Sequence, residues 1–220
     1  MKIAHAPAQL ERQPRAVAIG TFDGVHRGHR AVIEAAVATG LAATAITFDP
    51  HPRVALGNQV ELITTLERRL ELLGEAGAEA VLVAGFTPEL QRLAPEEFAE
   101  TYLRAIGTEV VLAGDDFRFG ARRRGDLELL ARLGFEVVRV DELPGVSSTE
   151  IRRALHEGDV RRAAELLGRP YELDGVVVAG DQRGGTLGYP TANLALDPQL
   201  VCPRYGIYAG AALGHRAAVS

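Results

Sequence analysis

AVAIGTFDGVHRGHRAVIEAA, residues 16–36, joins an apolar run to an amphipathic stretch through a glycine turn, with His26 and His29 where the second segment begins. That succession reads as strand, loop and crossover helix, the opening of a parallel α/β sheet. The start of a helix presents unpaired backbone N–H groups and the positive end of the helix dipole, so a phosphate settles there without a dedicated cation. His26 and His29 stand three residues apart, which puts both imidazoles on one helical face and points them at one ligand. Gly20, Gly24 and Gly28 leave room for a nucleotide to approach the backbone. The same two histidines also fit half of a zinc site or simple polar surface, but no further Cys or His lies close in sequence to complete four ligands.

Outward from this stretch, short Val/Ala/Ile-rich runs alternate with amphipathic segments as far as about Val140. Strands are expected at Ala16 to Ile19, Ala42 to Phe48, Ala80 to Ala84, Glu109 to Ala113 and Glu136 to Val140, and helices at Gly28 to Thr39, Leu66 to Gly74, Pro95 to Ile106 and Asp126 to Leu133. Pro95 suits a first helical turn, and Gly40, Gly77, Gly107 and Gly134 punctuate the helix ends. The expected fold is α/β, a doubly wound Rossmann-like parallel sheet. In such sheets ligands bind beyond the carboxyl ends of the strands, where the unusual residues of this chain cluster: GTFDGVH, FDPHP, GFTPEL, GDDFRFG and ELPGVSSTEIRR. From Tyr171 onward the segments are short, glycine-broken and strand-like, so a small β module follows. Residues 159–170 form the connector, a helix VRRAAELLG closed by Gly168 and stopped by Pro170.

Bulk properties narrow the partners. Apolar residues make up 47% of the 220 and the net charge is -5, which supports a substantial core and argues against nucleic acid or an anionic membrane surface as a general electrostatic partner. No run approaches a membrane span and the N-terminus has no signal-length apolar segment. The single cysteine, Cys202, cannot form an intrachain disulfide, so a reducing cytoplasm is expected. Oligomeric state is left open.

Three further stretches carry chemistry. In GVSSTEIRRAL, residues 145–155, Ser147 and Glu150 have capping-box spacing; the segment reads equally as a capped surface helix or as a phosphate site in which Ser148, Thr149 and Arg152 take anionic oxygens. GDDFRFG, residues 114–120, is followed by a basic ARRRG that reads alone as a solvated loop. FDPHP places His51 between two prolines. GTFDGVHRGH resembles the H-x-G-H signature of the adenylyl- and cytidylyltransferases, and its longer form F-D-G-V-H-x-G-H resembles the flavin branch, the bacterial bifunctional riboflavin kinase and FAD synthetase. GVSSTEIR resembles that branch's I-S-S-T-x-I-R with Val146 for Ile, GDDFRFG its G-x-D-F-x-F-G, and FDPHP an element near its flavin site.

The resemblance implies a nucleotidyltransferase domain at residues 1–158, a linker helix at 159–170 and the start of a riboflavin kinase β-barrel at 171–220. It implies that FMN attacks the α-phosphorus of ATP to give FAD and pyrophosphate, with Mg2+ bridging phosphates. His26, His29 and Arg152 would be catalytic. Gly20, Phe22, Asp23, Gly24, Gly28, Phe48, His51, Asp116, Phe117, Ser148 and Thr149 would bind substrate. Losing one donor to the developing charge typically costs about 3 kcal/mol.

GDQRGGTLGYPTANL, residues 180–194, resembles the riboflavin kinase signature, by which Thr191 and Asn193 would bind Mg-ATP and the metal. Gly185 stands where that family has arginine, with Arg183 displaced from it, and only about fifty residues follow Pro170. The barrel is therefore expected to be incomplete and riboflavin phosphorylation lost, with unpaired strand edges. The alternatives are a related nucleotidyltransferase acting on another substrate, a flavin- or nucleotide-binding protein without catalysis, and, remotely, a fragment of a class I aminoacyl-tRNA synthetase. The FAD synthetase reading requires that the imidazole pair and the Ser-Arg turn meet at one triphosphate.

Overall fold

A computed structural model describes residues 1–179 and 191–220. Its centre is a six-stranded sheet ordered β1-β4-β3-β2-β5-β6, every neighbouring pair parallel. The strands are β1 (Lys2–Ala4), β2 (Arg15–Ile19), β3 (Ala42–Asp49), β4 (Ala80–Gly85), β5 (Thr108–Ala113) and β6 (Glu136–Arg139). Around them run α1 (Arg27–Ala38), α2 (Pro52–Ala55), α3 (Leu66–Glu75), α4 (Pro88–Arg92), α5 (Pro95–Phe98), α6 (Leu127–Arg132), α7 (Ser148–Glu157) and α8 (Val160–Leu167). The five expected strands are all present; β1, three residues at the sheet edge, is an addition.

The two faces of the sheet are covered separately, as the period of two along each strand requires. Val17, Ile19, Ile46, Leu82 and Val111 meet Phe98, Leu103, Ile106, Leu127 and Leu130 on one side. Ala18, Ala45, Val81 and Val83 meet Ile33, Leu70, Leu72 and Leu73 on the other. Successive connections from β2 lead outward through β3 and β4, then the chain returns to place β5 on the opposite flank of β2. The order therefore reverses between β2 and β5, the kind of switch point at whose carboxyl ends ligands bind in such sheets.

The expected single helix from Pro95 to Ile106 is broken up. It is α-helical to Phe98, widens to a π turn over Ala99–Leu103 and tightens to 3-10 over Arg104–Ile106. Phe98 and Tyr102 stack across the wide turn with centroids 4.9 Å apart. Gly107 ends it at φ 84°, where a Cβ would also run into the Gln13 carbonyl.

α7 and α8 form a pair with its own core, Ile151, Ala154, Leu155, Ala163, Leu166 and Leu167 closing on Ile63 and Val201. Asp159 caps α8 through the Arg162 N–H at 2.9 Å, and Gly168 terminates it at φ 77°, as expected of the connector. Beyond it, the described residues make two separate antiparallel ribbons, β7 (Gly175–Val178) with β8 (Asn193–Leu196) and β9 (Tyr208–Ala212) with β10 (His215–Val219). A short bridge fastens this region to the first: the Leu62 N–H donates to Gln199 carbonyl at 2.6 Å and the Val201 N–H to Leu62 carbonyl at 2.8 Å. The Tyr171 hydroxyl donates to Val201 carbonyl at 2.6 Å.

Candidate active site

The loop after β2 is built from the inside. Phe22 (φ 51°) and Val25 (φ 38°) lie in the left-handed region with their side chains buried, and Asp23 between them is fully buried. The Asp23 carboxylate accepts the N–H groups of Ile63 (2.9 Å) and Thr64 (3.2 Å), and the Thr64 hydroxyl accepts the Gly24 N–H at 3.1 Å. Phe22 and Asp23, expected to bind substrate, thus turn their side chains into the protein and hold the loop. Each of the three glycines has a side chain of the protein close on its Cβ side. A Cβ at Gly20 would press on the Phe22 ring at 3.1 Å, at Gly24 on Ile63 at 2.9 Å and at Gly28 on the His26 ring at 3.2 Å. A side chain at any of the three would therefore disturb the packing of the loop.

His26 is the N-cap of α1, its Nδ1 accepting the His29 N–H at 3.3 Å. That bond fixes the neutral tautomer with the proton on Nε2, leaving an N–H donor for a ligand. The His26 and His29 rings stack 3.6 Å apart at 15°, and Phe22 packs edge-on against His29. Burial brings the His26 imidazole down to about 4, with Asp23 opposing and Arg152 and Arg169 assisting. His29 is held well below its ordinary value by burial, then by His26 and Arg69, and its Nδ1 has no hydrogen-bond partner. Near neutrality both rings are uncharged, so they act as hydrogen-bonding groups.

The second motif meets this loop directly. Ser147 caps α7 by accepting the Glu150 N–H at 3.2 Å, while Glu150 turns to Arg153 and leaves the reciprocal half of the capping box unmade. The Ser148 hydroxyl donates to the Asp23 carbonyl at 3.0 Å, and the Arg152 guanidinium reaches Asp23 Oδ2 at 2.5 Å and the Glu61 carbonyl at 2.6 Å. Thr149 is exposed beside them. Arg152, expected to meet pyrophosphate, is engaged with a buried carboxylate in this state.

FDPHP brings a third imidazole to the same neighbourhood. His51 is buried and caps α2, its Nδ1 accepting the Arg53 N–H at 3.2 Å. Burial lowers it to about 4, Asp23 opposing, with Arg152, Arg69 and Arg53 assisting. Phe48 packs edge-on against Phe86. GDDFRFG leaves β5, the neighbour of β2, and closes a small hairpin in which Phe119 and Gly125 exchange backbone hydrogen bonds. Phe117 stacks on Phe119, Asp116 is exposed, and Arg122–Arg124 stay in solvent. Asp116 and Phe117 share the carboxyl edge with the imidazoles; no described hydrogen bond joins them.

Thr191 and Asn193 lie exposed in the β7–β8 region, with no described hydrogen bond to this cluster, and the preceding part of their motif, residues 180–190 with Arg183 and Gly185, lies outside the described residues. Among the described residues no group of three or more His, Cys, Asp or Glu is placed to hold a metal ion.

Arg69 escapes a reading by motifs. It is 1% exposed, on α3, and donates to the Phe48 carbonyl at 3.1 Å. The signal is in the helix pattern: Leu66, Arg69, Leu70 and Leu73 share one stripe, so an arginine occupies a core position.

Comparison with known proteins accords with this geometry. The profile of the FAD synthetase family matches residues 8–153 and that of riboflavin kinase residues 167–219. A bifunctional riboflavin kinase/FMN adenylyltransferase of Listeria monocytogenes is 41% identical over 209 residues, 89% of this chain and 67% of the relative. That of Bacillus subtilis is 36% identical over 219 residues, 93% of this chain and 69% of the relative. A crystal structure from Streptococcus pneumoniae, described as a macrolide-efflux protein, superposes with a TM-score of 0.82 at 28% identity, covering 98% of this chain and 81% of that one. No helix among the described residues is long and apolar enough to cross a membrane. With the family profile covering well over half its length and the imidazole loop seated on the Ser-Arg helix, the chain belongs to the FAD synthetase family.

Proposed function

We propose that this chain transfers AMP from ATP to FMN, giving FAD and pyrophosphate, and that it works on small molecules in the cytoplasm. One observation carries the reading: the Ser148 hydroxyl lies 3.0 Å from the Asp23 carbonyl, so the starts of α1 and α7 flank one place and a single triphosphate reaches both. The domain division 1–158, 159–170 and 171–220 belongs to the same proposal, as do the roles of individual residues.

In the reaction a phosphate oxygen of FMN bonds to the α-phosphorus of ATP, the α–β bridging P–O bond breaks, and pyrophosphate carries the electron pair away. An anion attacks an anion, so the protein's task is positioning and the supply of fixed donors where charge builds. His26 offers Nε2–H to an α-phosphate oxygen because its Nδ1 is already used by its own helix. His29 stacks against it and, neutral, donates without losing a proton. The amides at the start of α7, with Ser148 and Thr149, receive the β- and γ-phosphates. Arg152 swings between Asp23 and the departing pyrophosphate, exchanging one anionic partner for another.

Mg2+ bound with ATP would neutralise phosphate charge; Asp23 is already committed to two amides and Arg152. Phe48, His51, Asp116 and Phe117 line the flavin side. In the second module Thr191 and Asn193 would meet Mg-ATP for riboflavin phosphorylation.

Offering the chain FMN or riboflavin with Mg-ATP, then separating the flavins, tests the reading. FAD and pyrophosphate in equal amounts from FMN are expected. Absence of FAD while FMN and ATP are both bound contradicts it.

A further inference from the structure

Arg69 is a buried cation whose nearest carboxylates, Asp23, Asp49 and Glu67, act on it without direct contact. Its side chain is among the largest fully buried ones in the molecule, it makes no salt bridge among the described residues, and its Nε has no hydrogen-bond partner. A buried guanidinium met only by neutral acceptors is costly unless its position does something. Its contacts show what that is. Nη1 donates to the Phe48 carbonyl at 3.1 Å, in the FDPHP stretch after β3, and reaches the Thr47 hydroxyl at 3.5 Å. That hydroxyl in turn donates to the Thr21 carbonyl at 3.0 Å, in the loop after β2 that leads to His26 and His29. One side chain from α3 therefore touches the flavin-side loop directly and the nucleotide-side loop through a single relay.

We propose that Arg69 is a positioning residue for adenylyl transfer, a fixed buried guanidinium that sets the FDPHP turn in register with the imidazole loop so that the FMN phosphate lines up on the α-phosphorus. This rests on the adenylyl-transfer reading above. It acts on how the two substrates stand relative to each other, so it controls the rate of the step more than the binding of either partner. The charge of Arg69 also faces both rings it registers. His29 is flanked by His26 and Arg69, and His51 by Asp23, Arg152, Arg69 and Arg53, the guanidinium opposing protonation of each.

The test uses the full chain carrying Arg69→Met, Arg69→Lys or Thr47→Val, with FMN and ATP binding measured apart from turnover. R69M is expected to lower kcat by about 10- to 100-fold while the Kd for FMN and for a non-hydrolysable ATP analogue each move by less than about threefold. R69K, which keeps a charge able to reach Phe48, should recover most of the loss. T47V, which cuts only the relay to Thr21, should cost kcat several-fold, and it decides the matter if R69M does not fold. In histidine-labelled protein, R69M should move the protonation of the His29 and His51 rings to higher pH while R69K leaves it near the parent, whereas general loosening would move both variants alike.

Unchanged kcat in folded R69M, a loss explained entirely by weaker binding, R69K no better than R69M, or T47V at the parent rate would each overturn the proposal. A parent chain that makes no FAD would instead strike the adenylyl-transfer reading. The imidazole titrations still judge Arg69 in that event, and unmoved rings would reject its role.

Discussion

The carboxyl edge of the sheet and the two ribbons at the end of the chain satisfy their groups in opposite ways. At the edge, Asp23 is 0% exposed and each contact made there brings two distant segments together: residues 23 and 63, 23 and 148, 23 and 152. In the ribbons, Val176 is 70% exposed, Val177 64% and Leu213 100%, and the motif residues Thr191, just before β8, and Asn193, at its start, are exposed. Both regions carry recognisable signatures. Among the described residues, long-range packing closes around the imidazole loop and leaves the ribbon residues named here exposed.

The largest effect should come from breaking that closure. Asp23→Ala leaves Arg152 without its carboxylate and Ile63 and Thr64 without their acceptor, and is expected to cost about 3–5 kcal/mol of stability in denaturant melts, the range for a broken buried pair. If the loop stands without Asp23, the melt will be unchanged and the contrast loses its basis.

Next in size, His29→Ala should reduce FAD formation by about a hundredfold or more, about 3 kcal/mol in the activation free energy, with the circular dichroism of the parent. A smaller loss in steady-state kinetics would place the imidazole outside the reacting centre.

The third concerns pH. His26 and His51 have folded-state values of about 4 against an ordinary 6.5, so both are neutral in either state above 6.5. Between 6.5 and about 4 the unfolded chain binds protons that the folded chain refuses, so stability falls as pH falls, by up to about 1.4 kcal/mol per pH unit for each ring. His51→Asn, which keeps an N-cap acceptor, should flatten the slope of stability against pH by one proton. An unaltered slope would mean that His51 titrates normally in the folded chain.

The smallest effect belongs to the ribbons. Val177→Thr should change stability by no more than about 0.5 kcal/mol and leave FAD synthesis alone, since the side chain is already in solvent. A large loss would show that the ribbon face is covered in solution.

Much of the edge was legible in the sequence because its signals are local. The strand-loop-helix at residues 16–36, the proline and glycine stops, and the capping serine before α7 each depend on neighbours in the chain. Their meeting was an expectation carried by the order of the loops in a doubly wound sheet, and the Ser148–Asp23 contact fulfils it. What stayed hidden is non-local. The pairing of Asp23 with Arg152 spans 129 residues, and nothing near either residue announces it. Of the side chains beside the three glycines, Phe22 and His26 are local, whereas Ile63 against Gly24 comes from 39 residues away and is not visible in the local pattern. β1 has only three residues, too few for a period to show, and exists because β4 offers an edge. The π turn after Phe98 has no sequence signature that periodicity detects.

The central claim is that the imidazole pair and the Ser-Arg turn act on one triphosphate. Its most direct measurement is a turnover cycle with His29→Ala, Arg152→Ala and the double variant, each shown to be folded, assayed with FMN and Mg-ATP. Groups that work as a unit are strongly non-additive, so the double variant is expected to be slower than the worse single variant by no more than about threefold. Losses that multiply, or an Arg152→Ala variant that turns over at the parent rate, would contradict the account.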